Sequence, residues 1–346
     1  MRLPVLHFAV SICALCHLGN AEAAETQSCP AEPVIDVHLH AYDTDPRFDV
    51  EMPMPRSGAT NPATDGVSHR RLTLAALQSA GVVRGVVSSQ PLRAAQVMVD
   101  SEPDRLMLGY SLMDIPTADD LERIRELHNK GHLAMIGEVA PQYLGIAPDD
   151  PGLEPLWQLA NELNIPVGYH MGSGPPLITQ FGYPEHRAAV GVPLLIEDVL
   201  VRYPNLRLLI MHGGFPYGDA THALLNSYPQ VFIDLGAVHF AEHPGAFHGY
   251  LRRLVEAGFA DRILFGSDQM VWPDAVAASV QAYRDAPYLT DDQRAGILYE
   301  MPSGSSGGQM CPANPREAVG HGRLVFHRGC PLLGYAALDG HVADFT

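Results

Sequence analysis

The sequence predicts an α/β fold, a closed (β/α)8 barrel of the TIM type, on three observations. Short apolar runs rich in Val, Ile and Leu recur eight times, which is how buried parallel strands read. Helical patterns alternate with them, and no second zone of composition interrupts the series. Ionisable residues collect at the carboxyl ends of the runs, where the βα loops of a barrel build its site.

The elements follow in order. The first run, residues 34–40, ends in Asp36-Val37-His38-Leu39-His40. The second and third, 83–89 and 106–113, are apolar, and an amphipathic stretch over 118–129 follows. The fourth, 133–139, ends in Gly137-Glu138-Val139 and precedes a helix over 153–164. The fifth, 165–171, ends in Tyr169-His170-Met171-Gly172, with a helix expected over 192–203. The sixth, 206–212, ends in Met211-His212-Gly213-Gly214 and precedes a helix over 220–228. The seventh, 231–236, contains Asp234 and leads to a helix over 244–257. The eighth, 262–268, ends in Gly266-Ser267-Asp268. A last helix opens on the capping box Thr290-Asp291-Asp292-Gln293 and runs to Glu300. A doubly wound open sheet is the alternative, but the first βα turn lacks a Gly-rich phosphate fingerprint.

The 346 residues carry 39 Asp+Glu against 22 Lys+Arg, a formal net charge of −17, and are 47% hydrophobic. That composition excludes global disorder and argues against nucleic acid or an anionic membrane surface as partner. Five Cys are too few for a disulfide scaffold, and no apolar run is long and clean enough to span a bilayer. Residues 1–24 have the layout of a secretory signal: Arg2, an apolar stretch over 3–18, then Ala21-Glu22-Ala23. The expectation is export to a periplasmic or secreted location, a linker over 25–33, a barrel over 34–300, and no membrane association once the signal is cleaved. A small-molecule substrate is the expected partner, and assembly into a homo-oligomer stays open.

His-x-His alone is weak, since 17 His in 346 residues give about one such triplet by chance. Its position gives it meaning. Residues two apart on a strand share a face, so His38 and His40 point together into the barrel mouth. Two imidazoles there suit a divalent metal, and His170 and Asp268 complete an N/O ligand set. An apolar core does not accumulate ionisable groups without a partner. Asp36 shares the face of the His pair, either orienting a ligand or capping the strand. Asp234 reads equally as a solvated strand end or a support for a ligand. His239, His243 and His248 read as surface or rim, His128 and His132 as helix-end residues, and Trp157 and Trp272 as packing. The loop over 52–66 is long enough for a lid and reads equally as a surface excursion.

IDVHLH, GEVA, PVGYHMG, LLIMHGG and ILFGSDQ, in that order, resemble the amidohydrolase superfamily. Within it the chain looks like the amidohydrolase-related group that includes amino-carboxymuconate-semialdehyde decarboxylase, and the resemblance covers about residues 33–300. It implies that His38, His40, His170 and Asp268 hold a metal, Zn²⁺ or another divalent ion. It implies that His212 polarises substrate or acts as acid/base. Glu138 matches a carboxylate that bridges a second metal in relatives such as TatD-type nucleases and is only structural in others, so one ion or two remains open. The metal lowers the pKa of a water toward about 7, and Asp268 then takes and passes on its proton. A basic group selecting a carboxylate is sought in Arg187, Arg70 and Arg71.

Three functions compete: a metal-dependent hydrolase of an amide, ester or lactone, a non-oxidative decarboxylase on the same site, and a non-catalytic metal- or ligand-binding barrel. The chain departs from the family after residue 300, where relatives continue like N-A-x-R-[FL]-[FL]. Here the text turns to MPSGSSGGQMCPANPREAVGHGRLVFHRGC, rich in Gly, Pro and Ser and without period. Restoring one base before the Met301 codon permits N-A-Q-R-F-L. Residues 301–346 are read as a frameshift product or, alternatively, a family-variant extension. Resequencing across codon 300 separates the two.

Overall fold

The computed structural model describes residues 33–50, 52–180 and 182–299. The expected signal, all but the last residue of the linker, and the tail over 301–346 lie outside the described residues. Seven strands form one parallel sheet in sequence order. They are β1 (Val34–His40), β2 (Val82–Ser88), β3 (Leu106–Leu112), β4 (Leu133–Val139), β5 (Val167–His170), β6 (Leu208–Met211) and β7 (Val231–Ile233). The helices are α1 (Gly66–Ala80), α2 (Leu92–Ser101), α3 (Ala118–Asn129), α4 (Glu154–Leu163), α5 (Glu197–Arg202), α6 (Gly218–Ser227), α7 (Val238–Ala241), α8 (Pro244–Glu256), α9 (Ala275–Arg284) and α10 (Asp291–Leu298). The chain is a TIM barrel, as its pattern predicts.

The caps explain where several helices begin. Thr290 accepts from Gln293 N and closes the expected capping box of α10, and Thr117 with Asp120 does the same for α3. The helix expected over 192–203 starts as a 3-10 turn, Pro193–Ile196, before α5. Its Pro opening and the short span before β6 leave α5 only 6 residues.

The eighth run is the main correction. Residues 262–268 form no strand ladder, only a bridge between Ile233 and Ile263. They still close the ring through single bonds on both sides. Leu264 N donates to Ile233 O at 2.8 Å, Val37 N to Phe265 O at 2.9 Å and Asp268 N to His38 O at 2.8 Å. The ladder is interrupted because Ser267 N donates to the Asp36 side chain, at 3.0 Å, instead of to a strand carbonyl.

Two bulges decide which side chains face the barrel axis. Asp36 pairs with Gly85 but Leu39 with Val87, so three steps along β1 match two along β2. Ile136 pairs with Val167 and Val139 with Tyr169, the same mismatch in β4. A bulge shifts the alternation by one residue and re-aims side chains. Ile35 and Val37 therefore pack in the inner cluster with Val86, Met135, Leu209 and Met211, while Leu39 joins the outer core. His38 and His40 then turn inward above that apolar plug. Asp36 lies before the bulge and does not share their face, contrary to the reading from simple alternation. In β4, Met135 packs inward and Val139 outward, and the bulge turns Glu138 to the inside.

A third apolar cluster anchors the loop after β1. Met54, Phe240, Val271, Trp272 and Ala275 pack with Tyr42, Phe48 and Met52. Trp272 Nε1 donates to Met52 O at 3.0 Å. The loop over 52–66 is thus tied to the rim near the barrel mouth, and Trp272 does more there than fill space.

Candidate metal centre

The strand ends bring four imidazoles and two carboxylates together. His40 Nε2 lies 3.1 Å from Asp268 Oδ1 and 3.4 Å from Glu138 Oε2. His38 Nε2 lies 3.8 Å from Asp268 Oδ1 and 3.9 Å from Glu138 Oε2. His170 Nδ1 is 2.6 Å from Glu138 Oε1 and 2.9 Å from His212 Nε2. Three overlapping groups each offer three ligand atoms within 4.8 Å of one another: His38, His212 and Asp268; His38, His40 and Glu138; Glu138, His170 and His212. Glu138 is the hinge of the cluster, since one oxygen faces β1 and the other faces β5 and β6. His170 reaches the cluster through Glu138 and His212.

Electrostatics fit a cation. His38 Nε2, His170 Nε2 and Asp268 Oδ1 are buried without a hydrogen-bond partner. Such atoms are rare in folded proteins and mark sites that something else completes. Burial pushes the Asp268 carboxyl up, but His38, His40 and His212 outweigh it and hold it below the usual range. Glu138 is likewise buried, and its bonds to His170, His212 and His38 hold it well below that range. Both carboxylates are therefore ionised donors. Burial lowers His212, yet Glu138 and Asp268 overcome this and leave it raised above the ordinary histidine value. Burial and the neighbouring His212 depress His170.

The remaining expected residues fall as follows. Asp36 is buried, and burial raises its pKa to about 7. Its Oδ1 accepts from His38 N at 3.1 Å and from Ser267 N, so it staples β1 to the closing segment. Asp234 is fully buried and is no solvated strand end. His239 is partly covered, as a rim residue would be: it bonds Ser279 Oγ, and burial lowers its pKa to about 3. His243 caps α8 by accepting from Gly245 N, and His248 pairs with Tyr288. Arg187 is exposed and donates to Pro184 O and His186 O. Arg70 and Arg71 lie on α1. Among the described residues no hydrogen bond or ion pair joins any of these three arginines to the cluster.

The sequence reading missed Arg47. Its guanidinium lies 5.2 Å over the Tyr42 ring, and Asp45 holds it through Nε and Nη2 at 2.7 Å each. Tyr42 packs toward His40, with ring centroids 6.2 Å apart. On the other side Tyr143 packs on His170 at 4.9 Å and on Tyr183 at 4.9 Å. Buried Gln142 donates to Gly172 O at 2.7 Å and meets His186 at 3.1 Å, clasping the loop after β5. An Asp-x-Arg pair directly after the first strand was the available signal for Arg47.

A family model described as amidohydrolase matches residues 35–301. A curated relative, Protein fluG of Emericella nidulans, is 27% identical over 94 residues, and the match spans 27% of this chain but only 11% of that protein. Among solved structures, an uncharacterised TIM-barrel protein from Bordetella bronchiseptica is 17% identical with a TM-score of 0.56, covering 77% of this chain and 95% of the other. A probable 2-pyrone-4,6-dicarboxylic acid hydrolase from Acinetobacter baumannii, with citric acid bound, is 18% identical with a TM-score of 0.51, covering 77% and 96%. A dihydroxybenzoic acid decarboxylase from a Polaromonas species, with manganese and 2-nitroresorcinol bound, is 15% identical with a TM-score of 0.51, covering 78% and 95%. At these identities the likeness to the solved structures speaks for the fold.

Proposed function

The chain belongs to the amidohydrolase family, and on that premise we propose that it is a metal-dependent hydrolase that cleaves an amide, ester or lactone bond of a small organic substrate. One observation carries this reading: nitrogen and carboxylate donors from separate strands meet in overlapping groups, with His38 Nε2 and Asp268 Oδ1 buried and unpartnered among them. This N/O set suits Zn²⁺ or another divalent ion. His38, His40, His170 and Asp268 would hold one ion. Glu138, which reaches both halves of the cluster, would bridge to a second where two are taken up.

When bound, the cation supplies Lewis acidity, acidifying water and polarising a substrate oxygen. Asp268, kept ionised, accepts the proton of the attacking water at Oδ2, the oxygen that faces His212 Nδ1 at 3.8 Å. The same carboxyl returns that proton to the leaving group. His212 Nε2 donates to the developing oxyanion. The Arg47 guanidinium, stacked on Tyr42 at the mouth, binds an anionic group on the substrate. That cation supports a carboxylate-bearing substrate and so keeps non-oxidative decarboxylation as the second reading.

Metal content and turnover on a panel of esters, lactones, amides and aromatic carboxylates test both, on wild type and His38→Ala. The expected result is at least one divalent ion per chain, turnover with solvent oxygen entering the product, and loss of both in the variant. CO₂ release without water incorporation would favour the decarboxylase. A His38→Ala protein that keeps its metal and its full activity would remove the proposed site, and a metal-loaded protein inert on the whole panel would favour a non-catalytic barrel.

A further inference from the structure

The turn after β7 touches two of the site's histidines at once. Asp234 is fully buried. Its Oδ2 lies 3.2 Å from His38 Nδ1. Its Oδ1 accepts from His212 N at 3.2 Å and from Gly236 N at 2.8 Å. Two residues on, Gly236 O lies 2.9 Å from His212 Nδ1. Both Asp234 Oδ1 and Gly236 O already act as acceptors here, and with Asp234 Oδ2 accepting likewise each imidazole carries its proton on Nδ1. That leaves Nε2 of both rings turned to the cluster.

Space around this arrangement is reserved by glycine. A Cβ on Gly236 would sit 2.9 Å from His38 Nδ1 and 2.8 Å from Asp268 Cβ. A Cβ on Gly266 would sit 2.8 Å from His38 Cβ and 3.0 Å from Asp234 Cγ. His212 itself stands at φ 58, a left-handed conformation that a non-glycine residue holds only when its surroundings fix it. The Asp234 bond to His212 N is one of those fixings.

We propose that Asp234 is a positioning residue of this site: one carboxylate fixes the Nδ1–H form of His38, so that its Nε2 faces a bound cation, and pins the backbone of His212, so that its Nε2 faces the substrate side of the cluster. The inference rests on the proposed metal site and adds to it the group that orients two of its histidines. A carboxylate behind a ligating histidine raises ligand basicity and fixes ring orientation, and removing one commonly costs about 10–100-fold in metal affinity. Asp234→Asn is the sharp test. Its carbonyl keeps the two backbone donors, while its NH₂ faces His38 Nδ1 and drives the ring proton to Nε2.

Zn²⁺ affinity is measured by competition with a chromophoric chelator on wild type, Asp234→Asn and His38→Ala, alongside the unfolding midpoint of each metal-free protein. The expected result is a Zn²⁺ dissociation constant roughly 10–100-fold higher in Asp234→Asn, beyond any change in the metal-free midpoint. Histidine ¹⁵N spectra of the Zn²⁺-loaded wild type give a second readout that needs no variant, with His38 protonated at Nδ1 and not at Nε2. Wild-type affinity in Asp234→Asn, or a His38 proton on Nε2 in the loaded wild type, overturns the role of Asp234. If His38→Ala binds Zn²⁺ as wild type does, the metal site itself is wrong. Loss in His38→Ala with wild-type affinity in Asp234→Asn removes the Asp234 inference alone.

Discussion

Replacing His69 with glutamine removes one buried titration and leaves its hydrogen bond in place. His69 is fully buried on α1, and its Nε2 donates to Met270 O at 2.8 Å. Its Nδ1 is buried with no partner. Burial pushes the imidazole down to about 4, and the charges on His40 and Arg47 add to the effect. The folded protein therefore binds this proton less readily than the unfolded chain, whose histidine titrates near 6.5. The stabilising contribution is present in full above about 6.5 and is lost as pH falls through that value toward 4. The interval between the two values corresponds to roughly 3 kcal/mol, at about 1.36 kcal/mol per pH unit. Glutamine does not titrate, and its amide reaches Met270 O as the Nε2–H does. Asp36 and the site carboxylates titrate in both proteins and cancel in the difference. Urea unfolding of metal-free wild type and His69→Gln from pH 7.5 to 4 should thus show wild type losing about 3 kcal/mol relative to the variant. Curves that stay parallel across this range would refute the buried, neutral assignment of His69.

Two further changes probe the closing segment and the mouth. In Gly266→Ala the new methyl meets His38 Cβ at 2.8 Å and Asp234 Cγ at 3.0 Å, where neither neighbour can withdraw freely. Overpacking of this kind costs about 1–3 kcal/mol, so the unfolding midpoint in urea should fall and Zn²⁺ uptake weaken with it. Wild-type values for both would show that the cradle has slack. Arg47→Met keeps the apolar stem on Tyr42 and removes the charge. For a carboxylate-bearing substrate, KM should rise roughly 10–100-fold, as expected for a charge-assisted hydrogen bond, while a neutral ester loses little. Equal effects on both substrates would detach Arg47 from anion recognition.

Much of the site was legible because a barrel forces chemistry to one end of its strands. His38, His40, Glu138 and His170 stand at the carboxyl ends of strands, His212 directly after β6 and Asp268 at the end of the closing segment, and the run periodicity found them without side-chain detail. Periodicity alone could not show how they face inward. A strict alternation puts Ile35, Val37 and Leu39 on one side of β1, and only the bulge between Asp36 and Leu39 turns the two histidines in. Nothing in a hydrophobic pattern marks such a bulge, so Asp36 was placed on the wrong face. His239 keeps a partly exposed, rim position but gains a partner that no pattern announces. It follows β7 in a short helix, where a loop residue is usually exposed, yet α7 packs against α9 and brings its ring to Ser279. Arg47 escaped notice because its value depends on Tyr42 and Asp45 folding back on it, a local geometry the residue types permit but do not require.

The closure of the barrel and the construction of the site are the same structure. Residues 262–268 form no ladder with β1, and the polar side chains of the site take over that task. Asp36 binds Ser267 N across the seam, and the Gln269 amide spans it in both directions. Gln269 Nε2 donates to His40 O at 2.6 Å, and His40 N donates to Gln269 Oε1 at 3.1 Å. Three non-glycine residues along the seam sit in left-handed backbone: Ala237 at φ 59, Asp268 at φ 45 and Met270 at φ 47. Each such residue costs on the order of 1–3 kcal/mol unless its neighbours fix it. The neighbours are visible: Ala237 N donates to Ser267 O, Asp268 N to His38 O, and His69 holds Met270 O. The strain therefore falls where the chain must turn out of the barrel wall and still aim a carboxylate back at two histidines. A ladder of ordinary strand pairs would close the barrel more simply, but it would leave Asp268 extended along the wall, without the left-handed turn that directs it toward His40.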